Sequence, residues 1–294
     1  MPKRVFITIM YNSSSIIKIK NLNEYKIDEQ IKESLKDVYW RIEFNHYHDL
    51  IAEIEGQTIK SIGVCWGNPN HPLAKYIYFS SNATQEMLKK MLIVQAPYDR
   101  IIFSCWENDS EKIKLLQQFP FQLFRKTYME KYEISILLEK LNDLTVPLTL
   151  LSLKQVLTQP SLEEQLFKLL KYSYEQTHLH NPAQVEDWLI WKEKLLEDNS
   201  DLELSCIAIE NNRVTAYIFV HPIDEEQYEI GWVGQQGNVN LLPILKKMLI
   251  GLQNKGITSV EFEVDTTDYN AWQFADLLDL KSKIGWYSYI LKNS

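Results

Sequence analysis

Two strand-turn-strand patterns stand out along the chain. IAEIEGQTIKSIGV (51–64) reads as a strand, a turn at Gly56 and a second strand, and CIAIENNRVTAYIF (206–219) repeats the pattern with Asn211 and Asn212 turning. Each hairpin leads into an aromatic strand, Tyr76 to Phe79 or Tyr228 to Val233, and then a helix carrying MLKKML (87–92) or ILKKML (244–249). A further strand follows, RIIFSCW (100–106) or VEFEV (260–264), and the strict alternation of the latter suits a half-buried strand. A short helix and a terminal strand region close each half.

The same order of signals thus recurs after about 155 to 160 residues, which predicts two duplicated α/β domains. MPKRVFITIM (1–10) reads as a first strand, because no long apolar region or small-residue cleavage site follows its two basic residues. Ahead of the second hairpin, LTLLSL (148–153) reads as a strand. Ser161 with Glu164 forms a capping box for a helix running to about Tyr174, and Pro182 opens another reaching to about Glu197. The second half therefore reads β-α-α-β-β-β-α-β-α-β. Without a Gly/Ser linker, the boundary falls between Leu138 and Pro147, giving domains 1–143 and 144–294 that are expected to pack rather than tumble.

Length and composition agree with this division: 294 residues fit two domains, and 45% hydrophobic with 24% charged residues is ordinary for globular chains. A formal net charge of -8 argues against nucleic acid and anionic membranes as partners. No apolar run reaches the roughly 18 residues of a membrane span. Three cysteines, none in a metal-ligand spacing, point to a reducing compartment, with the cytoplasm as default.

The element order resembles that of the GNAT (N-acetyltransferase) superfamily of acyl-CoA-dependent N-acyltransferases, and the likeness runs over nearly the whole chain, twice. It implies an α/β (α+β) protein of two tandem GNAT-like domains, each a mixed, mostly antiparallel central sheet flanked by helices. It also implies acetyl-CoA as co-substrate, without a metal, and a small-molecule amine or a peptide amino terminus as acceptor. Oligomeric state is not legible.

In that family the fourth strand and the following loop hold the pantetheine arm and pyrophosphate of CoA. The resemblance places these roles on Trp232, Val233, Gly234, Gln235, Gln236, Gly237, Asn238 and Asn240, although Val239 and Leu241 stand where the family has small residues. Glu229 matches the glutamate that serves some members as general base; the other reading is a solvent-facing residue of an alternating strand. Asp268 and Ala271 fit the family pattern after the fifth strand, but its tyrosine falls on Ala275. Tyr269 and Asn270 are nearby substitutes, as acid and as CoA contact; alternatively Asp268 simply caps a helix.

His178 and His180 in THLHNP fall at the connection that lines the acceptor site in this family. As metal ligands they lack a third partner. His221, before Pro222, reads as structural, and Trp188 with Trp191 as core or domain interface. The first half has Ile77 in place of Glu229, Ser80 to Thr84 in place of the glycine loop, and Leu115 where a tyrosine would fall. The transfer activity is therefore expected in domain 144–294, with 1–143 structural. The rival expectation is a GNAT-like binding module without transfer chemistry; aminoacyl transfer from charged tRNA is opposed by the acidic balance.

Overall fold

The computed structural model describes residues 14–145, 149–185 and 187–292. They divide into two compact units. One comprises the residues up to Cys105, Asp109–Gln122 and those from Tyr289; the other comprises Trp106–Asn108 and Leu123–Ser288. The strand expected at 1–10 lies outside the described residues, as do Val146, Pro147 and Leu148.

In the first unit the order is β1 (Ser15–Ile19), α1 (Glu29–Ser34), α2 (Tyr39–Glu43), β2 (Asp49–Glu55), β3 (Thr58–Gly67), β4 (Ala74–Phe79), α3 (Gln85–Gln95), β5 (Arg100–Trp106) and α4 (Ser110–Leu116). Gly56 turns β2 into β3 at φ 63°, a conformation that costs glycine nothing. The strands lie side by side in the order β1-β2-β3-β4-β5, antiparallel except for β4 with β5. That parallel register stops at Ile77 opposite Phe103. There the Phe103 ring stacks on Phe79 at 4.6 Å and on Tyr78 at 5.7 Å, all three rings being buried.

The second unit runs β6 (Gln122–Glu133), α5 (Ile134–Lys140), β7 (Thr149–Ser152), α6 (Leu153–Leu157), α7 (Pro160–Thr177), α8 (Trp188–Glu197), β8 (Cys206–Glu210), β9 (Arg213–Pro222), β10 (Gln227–Gln235), α9 (Leu242–Asn254), β11 (Ser259–Asp265), α10 (Tyr269–Trp272), α11 (Ala275–Leu278) and β12 (Trp286–Lys292). Residues of β12 from Tyr289 belong to the first unit. The order β7-β8-β9-β10-β11-β6 is antiparallel except for β10 with β11. Asn211 and Asn212 both take positive φ, 50° and 59°, as a two-residue hairpin turn requires.

Alternation sorts β10 and β11 into two faces. Tyr228, Ile230, Val260, Phe262 and Val264 join the α9 residues Leu245 and Met248 in one core. On the opposite face Tyr217 and Phe219 of β9 pack with Leu166 and Phe167 of α7 and Trp191 of α8. Glu229, Glu261, Glu263 and Asp265 therefore project on the α7 side.

Two local expectations need correction. The capping box is formed by Ser152 and Gln155 at the start of α6, whereas α7 begins at Pro160 with Ser161 already inside it and runs on to Thr177. The next helix begins at Trp188, not near Pro182, because the Asp187 carboxylate accepts the Leu189 N–H at 2.9 Å and sets the start there. Among the described residues no helix is long and apolar enough to cross a membrane.

Candidate functional site

The parallel pairing of β10 with β11 runs from Gln227 opposite Ser259 to Ile230 opposite Phe262 and stops. A bulge at Gly231 shifts the β10–β9 register between Ile230 and Trp232, after which β10 stays paired with β9 as far as Gln235. Bulges sharpen local twist. From Gly231 to Gln235 the edge facing β11 consequently has no strand partner among the described residues. In the second unit this opening lies beside two cavities; in the first unit a cavity of about 380 Å³, lined by Thr58, Ile59, Ser81 and Asn82 among others, occupies the place equivalent to the second of them.

The first cavity, about 330 Å³, lies over the acidic face of the two strands and is bounded by α7 and by Asp198 after α8. Burial pushes Glu263 up to about 7, with Asp265 and Glu229 adding to the rise and Arg125 opposing it. Glu263 lines the cavity with its side chain accessible to solvent. Its antiparallel neighbour on β6 is Met129, which offers it no charge. Burial also raises Glu229 above the usual carboxylate range; Glu261 and Asp198 add to this and His221 opposes it. Neither Glu229 nor Glu263 has a hydrogen bond or ion pair among the described residues.

His221 lies directly across from Glu229, on β9. Its Nδ1 is 3.0 Å from the Asp198 carbonyl oxygen and 3.2 Å from Ser200 Oγ. Since a carbonyl only accepts, Nδ1 carries a proton. Nε2 is buried without a partner among the described residues, in a residue only 7% exposed that lines the cavity. The remaining carboxylates are engaged. Asp265 pairs with Arg125 at 3.2 Å, Asp198 accepts from Trp232 Nε1 at 3.0 Å, and Asp268 accepts the Asn270 and Ala271 N–H groups at 2.8 and 3.1 Å. Asp268 is thus the α10 cap, and burial nevertheless raises its carboxyl to about 6.

The second cavity, about 700 Å³, is lined by α7 together with Gln235, Gln236, Gly237, Tyr269 and Asn270. Gln235 is 6% exposed, and neither atom of its side-chain amide has a partner among the described residues. An unpaired buried amide costs stability, so it marks a place where a polar ligand group fits. The Ser173 side of α7 borders both cavities. Gly234 sits against it: a Cβ there would meet Ser173 Oγ and two Tyr217 ring carbons at 2.5 Å.

Of the residues singled out in the sequence, Glu229, Trp232, Val233 and His178 line the first cavity, and Gln235, Gln236, Gly237, Tyr269 and Asn270 the second. Glu229 and Tyr269 are thereby placed on different cavities. Asn238 is exposed, and Asn240, just ahead of α9, accepts the Leu242 N–H at 3.1 Å. The His180 ring lies against Phe124 at 5.4 Å. Among the described residues no group of His, Cys, Asp or Glu could hold a metal ion. Sequence reasoning passed over Glu263, Arg125 and the role of His221; the alternation of VEFEV was the available signal for Glu263.

No family sequence model matches the chain, and no curated protein sequence matches it. Solved structures do. A GCN5-related N-acetyltransferase from Sphaerobacter thermophilus superposes with a TM-score of 0.56 at 13% identity, covering 89% of this chain and 85% of that one. A probable N-acyltransferase from Enterococcus faecalis gives 0.51 at 12%, covering 96% and 73%. A tandem GNAT protein from the clavulanic acid biosynthesis pathway gives 0.51 at 8%, covering 96% and 99%. The chain has the tandem GNAT fold, with a large, mostly antiparallel sheet flanked by helices.

Proposed function

We propose that the second unit is an acyl-CoA-dependent N-acyltransferase acting on an amine, a small molecule or a peptide amino terminus. The observation that carries this reading is the opening between β10 and β11 beyond Ile230 and Phe262, with a free strand edge on one side and unpaired Glu229 and Glu263 below it. Fold alone does not specify activity; the site does.

Acetyl-CoA, when bound, supplies the acyl group as a thioester. The free edge of β10 from Gly231 to Gln235 and the Gln235 amide suit the amide-bearing pantetheine arm. Arg213, at the rim of the second cavity, offers a charge to phosphate. In the first cavity Glu229, with His221 beside it, stands ready to take the proton of an acceptor ammonium. That proton must leave before nitrogen can attack. A raised carboxyl is the better base for this purpose near neutral pH. The first unit, with a buried Ile77 at the place of Glu229, is read as catalytically silent. Three free, buried cysteines suit a reducing cytoplasm.

One observation favours binding without transfer. The first N–H groups of α9 are spoken for, since Leu241 N–H is donated to Gln273 at 3.3 Å, Leu242 N–H to Asn240, and Pro243 has none. A pyrophosphate would find few free donors there. Thiol release from acetyl-CoA, followed over an amine panel, separates the readings. With Glu229→Gln, turnover should fall about 10² to 10⁴-fold while acetyl-CoA affinity changes far less. Unaltered turnover would remove Glu229 from the mechanism.

A further inference from the structure

Five carboxylates line the first cavity, those of Asp198, Glu229, Glu263, Asp265 and Asp268, against one permanent cation, Arg125. Asp265 consumes that cation, and Trp232 and the α10 backbone satisfy Asp198 and Asp268. Glu229 and Glu263 are left, one on each of the diverging strands. A second, independent sign of a missing ligand is the buried, unpartnered Nε2 of His221 beside Glu229.

Acyl transfer makes a particular demand on this pair. The nitrogen that is acylated has to shed its proton, so it cannot remain the counter-ion of both carboxylates through the reaction. If Glu229 receives that proton, the nitrogen forms the amide bond as the thioester C–S bond breaks, and the thiolate leaves and is protonated to free thiol. Glu263, once ionised, still needs a positive charge that persists. We propose that the acceptor is a small flexible molecule with two ammonium groups, an α,ω-diamine or polyamine, held by Glu263 through one end while the other end reacts at Glu229. This assignment rests on the acyltransferase reading and names its substrate class. Aromatic residues line the same cavity: Tyr174 stacks on His178 at 3.8 Å and on Trp232 at 5.9 Å, and such rings suit methylenes and ammonium groups alike.

The test uses the full chain with 1,4-diaminobutane and 1-aminobutane, which differ by one ammonium group. Thiol release from acetyl-CoA should give a KM for the diamine about tenfold or more below that for the monoamine, as expected for one charge-assisted contact. Glu263→Gln should collapse the difference, and Glu261→Gln, on the same strand face but already bonded to Gln227 Nε2 at 3.0 Å, should preserve it. Calorimetry with the diamine alone should show binding that Glu263→Gln removes. Thiol release with equal KM for both amines, or a preference that survives Glu263→Gln, would overturn the diamine assignment alone. Diamine binding lost in Glu263→Gln, without thiol release from either amine, would overturn the acyl-transfer reading and keep the diamine as ligand.

Discussion

Replacing Gly234 by alanine tests the packing that bounds the site. The added methyl carbon would lie 2.5 Å from Ser173 Oγ and from Cε1 and Cζ of Tyr217. Ordinary carbon contacts lie at about 3.5–4.0 Å, so each neighbour must move by about 1 Å. Neither is free to do so. Tyr217 is 1% exposed and its ring is stacked on Phe219 at 4.7 Å, while Ser173 is 4% exposed on α7, whose neighbours Leu169 and Leu170 are in the core. Overpacking of this kind costs about 1–3 kcal/mol. For a unit of this size that lowers the midpoint of thermal unfolding by roughly 3–10 °C. Gly237→Ala is the control. It meets nothing within 4 Å, and its φ of 85° adds only the backbone penalty of a side chain in that region, about 1–2 kcal/mol. Circular dichroism melts of both variants decide the matter, with acetyl-CoA titration as a second reading. Gly234→Ala should lose more binding, because Ser173 borders both cavities. A Gly234→Ala protein that melts with the wild type would refute the close seating of α7 on β10.

Two further predictions concern the carboxylates. Glu263 holds its proton up to about 7 in the folded chain, against about 4.5 when unfolded, so its favourable contribution is complete below 4.5 and is lost as pH rises through 7. Urea midpoints should accordingly show Glu263→Gln gaining stability relative to wild type on going from pH 5 to pH 8, and a constant difference would contradict the placement of this carboxyl. At the α10 start, Asp268→Ala should cost about 0.5–2 kcal/mol, whereas Asp268→Asn keeps the acceptor oxygen and should cost a fraction of that; equal losses in the two variants would mean the cap contributes little.

What the sequence revealed was mostly local. Gly56 and the Asn211-Asn212 pair announce their hairpins through turn chemistry that needs no distant partner. The strands flanking α3 and α9 followed from alternation and from the repeat. The site is built instead from nonlocal geometry. The end of parallel pairing at Ile230 and the bulge at Gly231 depend on strand partners far along the chain, and without that register nothing places His221 beside Glu229. Alternation identified a polar face of β11, but it cannot distinguish open solvent from the wall of a cavity, which is where Glu263 stands. The helix starts failed for a different reason. Ser152 with Gln155 and Ser161 with Glu164 have equivalent spacing, but Pro160 opens α7 and puts Ser161 inside it, whereas Ser152 stands at the start of α6.

Hydrogen exchange on the full chain with and without acetyl-CoA tests the central claim most directly, because the two units have equivalent strands and only the second carries the bulged edge beside Glu229. The account predicts that acetyl-CoA slows exchange of the backbone N–H groups from Gly231 to Gln236 and leaves those from Ile77 to Asn82 unchanged. Slowing confined to the first unit, or none anywhere at millimolar acetyl-CoA, would contradict it.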